Sequence, residues 1–352
     1  MQVFWTPRQS LRKLSADFMR ISQLRHHCSM QQLACLIVML LLSTCPAQDV
    51  KFEPGLARIA QFSEDAQAMY RNYPNALPSL LRHINQKTSF KVLPEPVIIS
   101  DFSDERLRQC PFLYVNFADR KEWNFSDAEI RGLREYLERG GFMYIDAGIT
   151  ASFLREHPNL GQHHSYAEWE ACPEINQAFK QVFPELEFQA LKRSDSLFSA
   201  FYQGLPDTSL LPDSVRSYTE QEKWPDGTYS AVALRLKGRI AVLVTPIVAM
   251  GWAKNSLEQW ETYIRFRILE GNEKLPEMLA TAAYSGPKFE VTREDGGKDI
   301  IYCQEGALPA WVQEPDGNWR IFRYYASQEI SDFAHQFYTQ LGTNIIVYAL
   351  TN

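Results

Sequence analysis

The stretch Phe112 to Asp146 constrains the fold more than any other part of the chain, because several independent local rules agree within it. PFLYVN reads as a strand, SDAEIRGLREYLERGG as a helix with both ends marked, and FMYID as a second strand. Ser126 and Glu129 have the S-x-x-E spacing of a capping box, in which each side chain satisfies an orphan amide at the helix start. Asp127 adds negative charge where the helix dipole favours it. Ile130, Leu133 and Leu137 recur on one face, so the helix has a sheet to cover. Gly140 and Gly141 supply the left-handed conformation that ends it. Strand, helix and strand in this order predict a right-handed crossover joining two parallel neighbours. Such sheets bind ligands at the carboxyl ends of their strands, where this unit carries Asn116, Asp119, Asp146 and Gly148.

With 352 residues, 45% of them hydrophobic, the chain can bury a large core as one elaborated domain or as one domain plus a smaller one. The formal charge is -6, yet residues 1 to 47 hold five basic residues (Arg8, Arg12, Lys13, Arg20, Arg25) and only Asp17 as an acid. Without them 31 basic residues face 41 acidic ones, a charge of -10, which excludes the basic face that nucleic-acid binding needs. Arg20 and Arg25 precede the apolar run Leu33 to Leu42, and Cys45-Pro46-Ala47 ends in a small residue. Residues 1–47 therefore read as a signal peptide or signal anchor, with Met19 as an alternative start, and the protein as periplasmic or secreted. Leu42-Ser43-Thr44-Cys45 also fits a lipoprotein cleavage box, apart from its Thr, so membrane contact is expected only through this segment or a lipid anchor.

Residues 48–352 read as one α/β domain. Asn75 and Pro78 begin a helix buried through Leu77, Leu80, Leu81 and Ile84. Thr88 to Val92, Val97 to Ile99 and Glu187 to Ala190 read as short strands, and Ile175 to Val182 as a helix. Ser230 to Leu236 and Arg239 to Thr245 read as a hairpin around Lys237-Gly238. Leu257, Trp260, Ile264 and Ile268 have the spacing of an amphipathic helix ending at Gly271. Residues 272–326 read as a β-rich insertion between Gly- and Pro-containing turns. A last helix starts near Ser327 and keeps Phe333, Phe337, Leu341, Ile345 and Tyr348 in helical spacing, although Gly342 costs it about 1 kcal/mol.

Chemistry is sparse. Cys110, Cys172 and Cys303 are too widely spaced for a disulfide framework, although one pair could bridge, and none has the elbow and nearby base of a nucleophile. No G-x-S-x-G and no phosphate loop occurs. His157, His163, His164, Glu168 and Cys172 cluster within a polar stretch and are ligand types for transition metals, but without a zinc spacing they read first as a solvated loop. Asp119 and Asp146 would serve as acid and base only on adjacent strands; otherwise they are turn and cap residues. Trp311, Trp319, Phe322, Tyr324 and Tyr325 make the insertion aromatic, as core or as an exposed binding surface.

In order along the chain, YPNALPSLLRHINQKTSF, CPFLYVN, LREYLERGGFMYID, DSLFSAFY, GRIAVLVTP with Gly251-Trp252, and QLGTNIIVYALTN resemble the bacterial domain-of-unknown-function family DUF4159. The resemblance spans about residues 51 to 352 and implies a class I glutamine amidotransferase-like fold, a flavodoxin-like α/β sandwich with a mostly parallel sheet. It implies no reaction. Where an amidotransferase carries its nucleophile, the chain has Ile145-Asp146-Ala147-Gly148, and the His-Pro that relatives often place before Leu197-Phe198 is replaced by Asp195-Ser196. The expectation is a non-catalytic exported module without cofactor or metal, binding a small ligand or an envelope protein at Asn116, Asp119, Asp146 and Gly148. The alternative is a hydrolase using Asp119 and Asp146.

Overall fold

Alternation of apolar side chains across short strands, with amphipathic helices between them, builds two cores on opposite faces of one sheet. The structure is a computed structural model that describes residues 55–64, 73–151, 169–219, 228–272, 288–292, 298–303, 310–313, 319–325 and 327–352. The signal-segment expectation for residues 1–47 lies outside the described residues.

The elements are β1 (Leu56–Ala57), β2 (Ile59–Phe62), α1 (Ala76–Lys87), β3 (Lys91–Val92), β4 (Val97–Ile99), β5 (Phe112–Asn116), α2 (Asp127–Glu138) and β6 (Phe142–Asp146). They continue with β7 (Ile149–Ala151), β8 (Trp169–Ala171), α3 (Pro173–Val182), β9 (Gln189–Lys192), α4 (Asp213–Tyr218), β10 (Thr228–Leu236) and β11 (Arg239–Val244). Last come β12 (Phe266–Asn272), β13 (Lys288–Thr292), β14 (Lys298–Cys303), β15 (Ala310–Gln313), β16 (Trp319–Tyr325) and α5 (Gln328–Thr351). Seven strands form the central sheet in the order β4-β2-β5-β6-β11-β10-β9. Its first five strands are mutually parallel, while β10 runs antiparallel to both β11 and β9. The expected mixed α/β architecture with a mostly parallel sheet is therefore present.

The crossover from β5 through α2 to β6 is the middle of this sheet. Phe112, Tyr114 and Asn116 pair in register with Phe142, Tyr144 and Asp146. Phe112, Tyr114, Phe142 and Tyr144 share a core with Leu77, Leu80 and Leu81 of α1 and Phe337, Leu341 and Ile345 of α5. The alternate residues Leu113, Val115, Met143 and Ile145 face Leu133 and Leu137 of α2 and Ile175, Phe179 and Val182 of α3. Helix α2 starts with both halves of its capping box formed: Ser126 Oγ accepts from Glu129 N at 3.2 Å, and Glu129 Oε2 accepts from Ser126 N at 3.0 Å. The hairpin between β10 and β11 turns at Lys237 and Gly238, both at positive φ (51° and 86°), as a tight two-residue turn requires. Gly342, unfavourable in a helix by propensity, sits where a Cβ would come within 2.8 Å of both Leu80 and the Trp252 ring. Its absence of a side chain lets α5 lie against the indole.

Three local expectations are corrected. No helix spans Leu257 to Ile268. Asn255 Oδ1 instead accepts from the amides of Leu257 (2.9 Å) and Gln259 (3.1 Å), a side-chain turn that competes with helix formation. Glu258 has φ 60°, Leu257 is 74% exposed, and Trp260 bridges back to Lys254 while stacking on His335 at 4.1 Å. The chain then enters β12, part of a second, antiparallel sheet of order β12-β16-β15-β14-β13. Thr88 belongs to no strand, because its hydroxyl caps α1 by donating to Ile84 O at 2.9 Å, and the strand starts at Lys91. The strand expected at Glu187 to Ala190 lies two residues later, as β9, after Lys180 has tied down Leu186 O and Glu187. Among the described residues no helix is long and apolar enough to cross a membrane.

Candidate functional site

The parallel register brings Asn116 and Asp146 side by side at the carboxyl ends of β5 and β6. Asp146 is fully buried. Its Oδ1 accepts from Val248 N at 2.7 Å and Tyr144 Oη at 3.2 Å, and its Oδ2 from Tyr114 Oη, Asn116 Nδ2 and Ala249 N, each at 3.3 Å. All five donors are neutral. Burial raises the pKa of Asp146 from 3.8 to about 6, the two backbone amides and then the two tyrosines opposing that rise. Both tyrosines are held protonated by the same burial, reinforced by the charge of Asp146. Tyr144 Oη also lies 2.8 Å from Thr245 Oγ1, which donates to Pro246 O, so the network runs from β5 through β6 to the segment after β11.

The other expected site residues are occupied in different ways. Asn116 also accepts from Ala118 N at 3.0 Å, capping the helical turn Phe117–Asp119. Asp119 lies in that turn, half-buried, with its carbonyl accepting from Glu64 N at 3.3 Å and its carboxylate near enough to Tyr114 to help raise that phenol's pKa. Gly148 is a packing glycine, since a Cβ there would lie 2.6 Å from Ile175 and 2.7 Å from Val244. Between them Ala147 has φ 63°, a conformation that side chains rarely adopt. The chain leaves this bend into the β7–β8 ribbon, anchored by Gly148 N to Thr245 O and Cys172 N to Gly148 O.

Residues beyond the expected four complete the site. Tyr114 and Tyr144 each stand two positions before the polar residue ending their strand, and that Y-x-N and Y-x-D pattern was the available signal. Val248 and Ala249 act through backbone amides and leave no such mark. Trp252 packs 6.0 Å from Tyr114 and 6.1 Å from Tyr144. Beside the network lies a cavity of about 140 Å³, bounded by Leu243 and Thr245, the loop Pro246 to Val248, Ala231 of β10, and Ala334, Phe337 and Tyr338 of α5.

A second buried polar centre sits near the start of α2. The Arg120 guanidinium pairs with Glu129 at 2.7 Å and lies 5.0–5.4 Å from the ring centres of Phe62, Phe102 and Phe125. It also donates to Glu122 O and Asn124 O, which secures the loop entering the helix. No periodicity announced it.

Cys110 is buried, which pushes its thiol up to about 11, and Cys172 occupies the N-cap position of α3; neither forms a disulfide. Among the described residues no group of His, Cys, Asp and Glu is placed to hold a metal. His157, His163, His164 and Glu168 lie outside the described residues, as do the side chains of Trp311, Trp319, Phe322, Tyr324 and Tyr325.

A helix-covered, mostly parallel sheet with a neutral-donor carboxylate network at its strand ends defines an α/β protein with its candidate site at the carboxyl edge. The chain belongs to the domain of unknown function family DUF4159, which matches residues 58–350. No curated protein matches it.

Proposed function

We propose that the chain is a non-catalytic, exported binding module on an amidotransferase-like, flavodoxin-like scaffold, holding a small ligand or an envelope partner at its strand ends. Numbered by appearance among the five parallel strands, the order β4-β2-β5-β6-β11 is 2-1-3-4-5, the flavodoxin-like order, which supports the scaffold. The observation that carries the reading is Ala147 at φ 63°, directly after β6. A nucleophile elbow uses such a strained turn to expose a reactive side chain, and here the turn bears a methyl group. A ribbon follows it in place of the helix that would support a nucleophile. Export rests on the apolar run Leu33 to Leu42 behind Arg20 and Arg25.

The raised pKa of Asp146 favours a second reading, a hydrolase using Asp119 and Asp146, because a general acid works best with a pKa near ambient pH. Against it, Asp146 is fully buried and its oxygens already accept five hydrogen bonds. The purified chain is expected to show no turnover above buffer with glutamine, nitrophenyl esters or nitrophenyl glycosides. Turnover that disappears in Asp119→Asn or Asp146→Asn, with the fold retained, would replace the binding reading by the hydrolase.

A further inference from the structure

The cavity beside Asp146 has walls of uneven chemistry. Leu243, Pro246, Val248, Phe337 and Ala334 make it apolar, and a cavity near its 140 Å³ takes an occupant of about six to eight non-hydrogen atoms. Its hydroxyl-bearing residues are Ser230, Thr245 and Tyr338; Ser230 is itself engaged, and Thr245 donates to Pro246 O and lies 2.8 Å from Tyr144 Oη. The Tyr338 hydroxyl has no hydrogen-bond partner among the described residues. The base of the ring packs close to Gly251, where a Cβ would come within 2.5 Å of Tyr338 Cδ2, and the Tyr338 carbonyl is held by Trp252 Nε1 at 2.8 Å. Burial, helped by the charge of Asp146, pushes the phenol up to about 12, so it keeps its proton and remains a donor. Tyr338 is only partly buried, so an incoming carbonyl exchanges for water at its hydroxyl, a net gain of about 0.5–1.5 kcal/mol. The nearby Asp146 carboxylate repels an anionic acceptor and tolerates a neutral one.

We propose that this cavity is a binding site for a short neutral acyl compound, an apolar tail of about five or six carbons ending in a ketone or ester carbonyl that accepts from Tyr338. The assignment rests on the binding-module reading and names its ligand class. Calorimetric titration of the full chain at pH 7.5 with heptan-2-one, heptane and hexanoate tests it. Heptan-2-one is expected to bind at least about fivefold tighter than heptane, the equivalent of one hydrogen bond, with hexanoate the weakest. Tyr338→Phe should erase the preference for heptan-2-one over heptane, and Ala334→Leu should abolish binding of both by filling the space. Equal binding of ketone and alkane, a preference for hexanoate, or a preference that survives Tyr338→Phe overturns the assignment. Absence of heptan-2-one binding also overturns it but leaves the module free to bind a protein partner, whereas hydrolysis of methyl hexanoate would remove the non-catalytic reading itself.

Discussion

Among the described residues two carboxylates are buried beside the central strands, and the protein stabilises them by opposite means. Glu129 meets a cation: Arg120 lies against it, enclosed by three phenylalanine rings. Asp146 meets only neutral donors, two amides, two phenols and a carboxamide. The first arrangement fastens a loop to a helix start and keeps its charges compensated. The second leaves a charge that dipoles alone must stabilise, and burial outweighs them enough to raise the pKa to about 6. A fold that needed Asp146 only as a tie could have used a neutral side chain. The proposed binding role sets its ligand beside this retained charge.

The largest effect should come from Asp146→Ala, which removes the shared acceptor of five buried donors, only Tyr144 keeping another partner in Thr245, and is expected to cost about 4 kcal/mol in denaturant unfolding. A loss below about 1 kcal/mol would mean that the network is dispensable and that the contrast with Glu129 is only geometric. Next is Arg120→Ala, which strands a buried carboxylate and removes the cation from three rings, at about 3 kcal/mol. Arg120→Met combined with Glu129→Gln should recover most of that loss, since Gln preserves the capping box and no charge remains. If the double variant were as unstable as Arg120→Ala, the charge pairing would not be what matters there.

The third expectation uses the sign of the Asp146 shift. Its folded pKa lies above the unfolded value of 3.8, so between about 4 and 6 the folded chain binds a proton that the unfolded chain has released. From this group stability falls as pH rises through that window and is level above it, by about 2–3 kcal/mol in all. Comparing unfolding of the native chain and Asp146→Asn at pH 4, 5, 6 and 7 isolates the slope. Parallel curves would show that the carboxyl titrates alike in both states. The smallest effect is Ser126→Ala, about 1 kcal/mol in melting experiments, because it removes one half of the cap while Arg120 still holds Glu129 in place.

How much of this was legible depends on the range of the interactions. The helix Asp127–Glu138, its capping box, both flanking strands and the turn at Lys237-Gly238 follow from residues a few positions apart. The Leu257 to Ile268 pattern misled because apolar spacing was weighed without the Asn255 side chain, whose competing bonds are equally local. Asp146 stood out as a strand-end carboxylate, but its nearest amide donor is 102 residues away in sequence and carries no side-chain signal.

By itself the sequence determined the crossover at the centre of the sheet, the alternation that sends Tyr114, Asn116, Tyr144 and Asp146 to one face, and the lack of a nucleophile at Ala147. Those are properties of short windows, set by backbone sterics, caps and period-two side-chain placement. Only the tertiary structure decided that Asp146 is closed off by Val248 and Ala249, that Arg120 is enclosed by phenylalanines from three segments, and that Tyr338 comes to line a cavity beside them. Each of these depends on where distant segments of the chain pack, and no local preference encodes that distance.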